Sequence, residues 1–245
     1  ESPPPTPHAK TVNEIYEDPQ GLLWVGMEDG LYQLIEQQGQ PILRRVELPF
    51  QNSLGYLPIR ALLKDRRGYL WVSAESNPRP GYITLYRIGP NGSVEQLHHK
   101  RAVVHAFLES QDGALWVGMG GFQYGLCQLV ENPRAGSELF TRCFTKEDGL
   151  PNTWINTLYL ARDGALWVGT DAGAARFSTP TDESQPRFQV YRGQQGVCDV
   201  GVSDINEDRD GNLWFSTPCG ATKFQRNGFV KYNRDDGMGG MRVHS

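Results

Sequence analysis

The 245-residue chain lacks the signals of several common protein classes, and each absence excludes something. Its longest uninterrupted apolar run is a few residues, far short of the roughly 20 needed to cross a bilayer, so no segment reads as a membrane helix. No stretch carries the apolar period of an amphipathic helix. Neither sign of charge dominates: 24 Lys and Arg are scattered among 28 Asp and Glu, for a formal net charge of -4. That balance gives no general attraction to phosphate backbones or anionic lipid, and nucleic acid is not an expected partner. The four cysteines, Cys127, Cys143, Cys198 and Cys219, show no CxxC spacing, which argues against a zinc or redox centre. No HExxH, no phosphate-cradling glycine loop and no readable Ser, His and Asp arrangement is present, and neither a metal nor a cofactor is expected.

What the chain does have is glycine (28) and proline (16), the composition of many short strands joined by tight turns. Residues 1–11 open with ESPPPTPHAK, which has neither the basic start nor the apolar stretch of a signal peptide and reads as a proline-rich tether. Beyond it the chain repeats. DPQGLLWVGM, DRRGYLWVSA, SQDGALWVGM, ARDGALWVGT and DRDGNLWFST share a Gly, any residue, Leu, Trp core, with Trp24, Trp71, Trp116, Trp167 and Trp214 spaced by 47, 45, 51 and 47 residues.

Each repeat reads as four strands. In the fourth these are 155–161, 165–170, 174–178 and 187–192, with Asp and Gly supplying the turns between the early strands. In LWVG both alternating side-chain sets are apolar or small, so the second strand must be covered on both faces. A lone sheet cannot achieve this, whereas sheets stacked face to face can. The expected fold is therefore an all-β propeller of about five four-stranded antiparallel blades, at 12–52, 53–98, 99–147, 148–194 and 195–235. The five tryptophans are expected between blades, each worth an upper limit of about 4–6 kcal/mol when buried. Residues 236–245, DGMGGMRVHS, align with DGLPNTWINT at 148–157 as the start of a sixth repeat, so a fragment of a larger propeller is expected.

The string DGLPNTWINTLYLARDGALWVGTDAGAARF (148–177) closely resembles the repeat of the two-component regulator propeller family, and the likeness extends over residues 12–245. Repeat two departs at SAESNPRPG and repeat five at FSTPCGATKF. The resemblance implies a periplasmic or extracellular sensor region of a hybrid histidine kinase or related regulator. Such regions often recognise polysaccharide breakdown products and precede a membrane span and signalling domains that this sequence does not contain.

Between two apolar columns of the first strands lies a polar one, Asn13, Arg60, His105, Asn156 and Ser203, continued by His244. First strands line the channel of a propeller, so these side chains are candidates to hold a saccharide or other polar ligand, or else merely solvate the channel. Loops expected at the same face carry Tyr56, Phe122, Tyr124, Asn152, Trp154 and Asp171. Trp154 is the sole tryptophan outside the repeat position, which makes it the candidate to stack on a sugar ring; the alternative is a packing role.

Cys198 and Cys219 fall in loops of one face of blade five, and Cys127 and Cys143 on the third and fourth strands of blade three. Both pairs are expected as disulfides, with buried thiols the alternative. A propeller hydrolase or lyase would recruit His98, His99, His105 and Glu109, but no defensible catalytic spacing links them, and an enzyme is not expected. The remaining alternative is a scaffold that binds another protein; homo-oligomerisation stays open.

Overall fold

The computed structural model describes residues 11–49, 56–75, 83–100, 103–121, 124–134, 137–178, 187–193, 197, 200–225, 228–232 and 236. Twenty strands form five four-stranded antiparallel sheets, and a 3-10 turn covers Lys146–Asp148. Blade one is β1 (Val12–Glu17), β2 (Leu23–Met27), β3 (Gly30–Gln37) and β4 (Gln40–Val46). Blade two is β5 (Ile59–Lys64), β6 (Leu70–Glu75), β7 (Ile83–Ile88) and β8 (Val94–Lys100). Blade three is β9 (Val103–Glu109), β10 (Leu115–Gly120), β11 (Leu126–Leu129) and β12 (Phe140–Phe144). Blade four is β13 (Ile155–Leu160), β14 (Leu166–Thr170), β15 (Gly173–Ser178) and β16 (Arg187–Tyr191), and blade five is β17 (Asp204–Glu207), β18 (Leu213–Thr217), β19 (Gly220–Gln225) and β20 (Gly228–Tyr232). Every sheet pairs its strands in chain order, the up-and-down meander of a propeller blade.

The chain divides into two compact units, 1–104 with 132–139, and 105–131 with 140–245. In the first, Trp24 and Tyr16 of blade one pack on Ile59, Leu62, Leu70 and Val72 of blade two. In the second, one core joins Trp116, Leu126 and Phe144 of blade three to Ile155, Leu158 and Val168 of blade four. Another joins Trp167, Ala174 and Tyr191 of blade four to Val202, Ile205 and Phe215 of blade five. In each case the tryptophan face of one blade meets the aliphatic face of the next. The glycine two residues after the tryptophan makes the approach close: a Cβ on Gly118 would lie 2.6 Å from Ile155 Cγ2, and one on Gly26 would lie 2.8 Å from Ile59 Cγ2.

Trp71, Trp116 and Trp167 are buried, while Trp24 and Trp214 keep part of their surface. Trp214 stacks on Tyr232 at 5.4 Å and carries the Lys223 ammonium 5.1 Å from its ring.

The first residue of the repeat motif has a role that composition does not reveal. Asp65 Oδ1 accepts from the Arg67 and Tyr69 amides at 3.0 and 2.9 Å, and its Oδ2 accepts from Trp71 Nε1 at 3.0 Å. Asp18 does the same for Gln20, Leu22 and Trp24, and Asp208 for Asp210, Asn212 and Trp214. One carboxylate thus closes the turn and fixes the indole that plugs the blade interface. Blade three uses the Ser110 hydroxyl for Trp116, and blade four has Ala161 at this position.

These carboxylates make stability depend on pH. Burial of Asp18 opposes its charge, but the Lys64 ammonium at 2.8 Å and the donors of Leu22, Trp24 and Gln20 outweigh it and hold its pKa below the ordinary value. Asp208 is lowered chiefly by the Trp214 indole, against some burial and with help from Asn212 and Lys223. Both groups bind their proton less readily folded than unfolded, so their contribution is complete above the unfolded carboxylate pKa of about 3.9 and drains as pH falls below it. Asp204, raised by burial despite donors from Ile205, Thr157 and Asn206, works in the opposite sense. Thermal melts are expected to drop progressively below about pH 4, and Asp208→Asn to flatten that drop; an unchanged acid limb in the variant would refute the assignment.

Cys127 and Cys143 are bridged across β11 and β12. A loop of this length is worth about 3 kcal/mol on the chain-entropy model. Cys219 is also disulfide-bonded, and no cysteine among the described residues is free. Its expected partner, Cys198, lies outside the described residues, as do Phe122 and His244. No described helix is long and apolar enough to cross a membrane.

Candidate functional site

The polar column of the first strands occupies β-bulges. Pairing of β1 with β2, β5 with β6 and β13 with β14 slips by one residue, at Asn13, Arg60 and Asn156. A bulge re-aims a side chain out of the alternating pattern, and here it turns a polar residue toward the end of the neighbouring second strand. The position concerned stands four after the repeat tryptophan, Glu28, Glu75, Gly120, Asp171 and Pro218 in the five blades; Arg60 meets Glu75 there, and Asn156 meets Asp171. Three of these five are acidic, a column as regular as the polar one that sequence reasoning had picked out only at Asp171.

In the first unit Arg60 is fully engaged. Its Nε and one terminal nitrogen donate to Glu75 Oε2 at 3.1 and 2.8 Å, and the other reaches Glu28 Oε1 at 3.4 Å. Tyr56 joins through Glu28; burial first, then that hydrogen bond, raises its phenol pKa. Asn13 Nδ2 is buried without a hydrogen-bond partner among the described residues.

The second unit brings four of the sequence candidates onto one continuous surface. The His105 and Trp154 rings lie 5.4 Å apart and tilted by 41°. Gly120 is what lets them meet, since a Cβ there would stand 2.9 Å from His105 Nε2 and 3.0 Å from the indole. The main chain of Trp154 is pinned at both ends: its N–H donates to Asn152 Oδ1 at 3.0 Å, and its carbonyl accepts from the Asp171 amide at 3.1 Å. The side chain nevertheless stays 40% exposed. Beside it Asn156 Nδ2 donates to Asp171 Oδ1 at 2.9 Å and to the Val202 carbonyl at 3.1 Å. Gly201 borders this pair, with room for a Cβ only 3.4 Å from Asp171 Oδ1.

Ser203 adjoins Val202 but precedes β17 rather than lying in it, and its amide donates to the Ser216 carbonyl at 2.8 Å. Tyr124 is placed elsewhere, 6.4 Å from Phe140 of the outermost strand of blade three. His98 and His99 lie on β8, the outermost strand of blade two. No group of three His, Cys, Asp or Glu capable of holding a metal occurs among the described residues.

A concavity in this unit, between the turns of blades four and five, measures about 670 Å³, and its lining includes Asp163, Arg176, Glu207 and Asp210. There Arg176 pairs with Asp163 at 2.7 Å, and Arg162 approaches Glu207 at 3.9 Å.

Three segments, residues 7–29, 149–172 and 196–218, match the family model described as two component regulator propeller. No curated protein matches the chain in sequence. Among solved structures the chain is similar to the extracellular domain of a hybrid two component system from B. thetaiotaomicron, at 19% identity and a TM-score of 0.75, covering 96% of this chain and 30% of that one. It is also similar to PorZ, a surface component of the type-IX secretion system of Porphyromonas gingivalis, at 16% identity and a TM-score of 0.70, covering 97% and 36%. Virginiamycin B lyase from Staphylococcus aureus is similar at 15% identity and a TM-score of 0.66, covering 94% and 72%. The chain spans about a third of the length of the two-component structures it matches. Identities this low establish the fold: the chain is an all-β propeller chain in which residues 7–29, 149–172 and 196–218 match the two component regulator propeller repeat.

Proposed function

We propose that this chain is a non-catalytic, extracytoplasmic ligand-sensing module of a two-component-type receptor and that it recognises a saccharide at the Trp154 face. The observation that carries this reading is the exposed indole of Trp154, whose main chain is fixed by Asn152 and by the amide of Asp171, the residue whose carboxylate pairs with Asn156 two positions along the chain. A flat apolar ring beside fixed polar groups matches the alternation of C–H faces and hydroxyls on a pyranose. The likeness to extracellular domains of two-component systems supports the sensor role, and the disulfides support an oxidising, extracytoplasmic setting. Membrane and kinase or other signalling domains would then belong to the intact receptor.

A saccharide at 100 times its Kd stabilises the folded state by about 2.7 kcal/mol, which a glycan panel reads as a rise of several degrees in melting temperature. Trp154→Ala is expected to leave the ligand-free melt nearly unchanged and to weaken the best glycan by ~10-fold or more. A panel without any shift would end the saccharide reading. Val12 and Ile15 on β1, 47% and 66% exposed, favour a second reading in which the chain is a scaffold for another protein; it would then ignore every glycan and co-purify with that partner.

A further inference from the structure

We propose that the Trp154 site accepts uncharged sugar rings and rejects acidic ones, because the polar atoms that Asn156 and Asp171 present are hydrogen-bond acceptors. This deepens the saccharide reading above and rests on it. The amide of Asn156 has two N–H groups, and both are taken, one by Asp171 Oδ1 and one by the Val202 carbonyl. Since both partners are oxygens, the orientation of the amide is fixed by chemistry. What remains for a ligand is Asn156 Oδ1 and, on the exposed carboxylate of Asp171, Oδ2; neither has a protein partner among the described residues. Two neighbouring acceptors, tied to the Trp154 main chain through the Asp171 amide, suit two hydroxyls of an oligosaccharide whose C–H face lies on the indole. A carboxylate or sulfate on the sugar has no proton to give and would meet Asp171 with like charge.

The first unit shows by contrast what neutralising this position takes. There the acidic residues four after the tryptophan, Glu28 and Glu75, are both bound by the Arg60 guanidinium. The residue equivalent to Arg60 beside Asp171 is an amide, and no ion pair to Asp171 occurs among the described residues. Arg192, the cation that touches the loop before Trp154, donates to the Pro151 carbonyl at 3.2 Å. His105 packs on the indole with Gly120.

The test is calorimetric titration of the whole 245-residue chain with two panels: neutral oligosaccharides of glucose, galactose, mannose, xylose and arabinose, and anionic ones, oligogalacturonides and sulfated glycosaminoglycan fragments. At least one neutral oligosaccharide is expected to bind ~10-fold or more tightly than any anionic one. Asp171→Asn, which turns a charged acceptor into an amide at an exposed position, should weaken that neutral ligand by about 10- to 100-fold without moving the melting temperature. Tighter binding of an anionic glycan, with loss on Trp154→Ala, would overturn this inference and leave the saccharide reading standing. Unchanged affinity in Asp171→Asn would also overturn it. Silence from both panels would remove the saccharide reading and this inference together.

Discussion

Asp65→Ala is expected to cost the fold about 3–5 kcal/mol, read as a lower denaturant midpoint. The residue is 3% exposed and its carboxylate accepts from two turn amides and from the indole of Trp71, itself wholly buried. Removing the acceptor strands the buried indole donor and two part-buried turn amides, and a stranded buried donor costs more than an average hydrogen bond is worth. Its other oxygen partner, the Arg67 guanidinium at 3.2 Å, would lose its counter-charge as well. Asp65→Asn should lie between, because an amide keeps the oxygen that the backbone uses but turns a donor toward the indole N–H. Blade four gives the internal comparison: with Ala161 at this position, its turn relies on Asp163 Oδ1, which accepts from the Ala165 amide at 3.0 Å. Asp163 is on the surface and Asp163→Ala should therefore cost well under half as much. A loss below about 1 kcal/mol in Asp65→Ala would show that the carboxylate is incidental to the turn.

Much of this architecture is legible in the sequence because its determinants are local. The Leu-Trp-Val-Gly alternation demands two covered faces, and the Asp and Gly turns fall where the chain must reverse, so the twenty strands and their order follow from residues a few positions apart. The tryptophan faces follow too, although Trp24 and Trp214 retain exposure that the repeat alone does not foretell. The candidate site is less legible, since it depends on a one-residue slip between strands. Asn156 meets Asp171 fifteen positions away only because the β13–β14 pairing is bulged, and nothing in the composition of INTLYL announces a bulge. Arg60 looks like a free ligand-binding cation until Glu28 and Glu75 are seen to hold it. Tyr124 looks like part of the same surface until it is found against Phe140. The signal that would have helped is the acidic residue four after three of the five tryptophans, visible once the repeats are aligned on the indole rather than on the turn.

Gly173→Ala is expected to destabilise by about 3–5 kcal/mol and to weaken ligand binding at the same time. The residue has φ +105, a region that costs a side chain about 1–2 kcal/mol, and a Cβ there would be driven into the Tyr191 carbonyl oxygen on β16. Backbone cannot rotate aside as a side-chain tip can, so the steric term adds another 1–3 kcal/mol or so. Gly113 separates the two contributions: it has φ +88 with nothing within 4 Å, so Gly113→Ala should cost only the conformational part, about 1–2 kcal/mol. The effect on binding follows from the turn. Thr170 Oγ1 donates to the Gly173 carbonyl at 2.9 Å and accepts from the Ala172 amide at 3.2 Å, and Asp171 is carried between them. Shifting Gly173 moves the strand end that presents the Asp171 carboxylate and the amide that holds the Trp154 carbonyl. The same geometry recurs in blade five, where Thr217 donates to the Gly220 carbonyl at 2.7 Å, yet there proline follows in place of the acid and no indole is pinned. A variant of Gly220 should accordingly lose stability without losing ligand, and equal losses of stability in Gly173→Ala and Gly113→Ala would mean that the close contact with Tyr191 exerts no force.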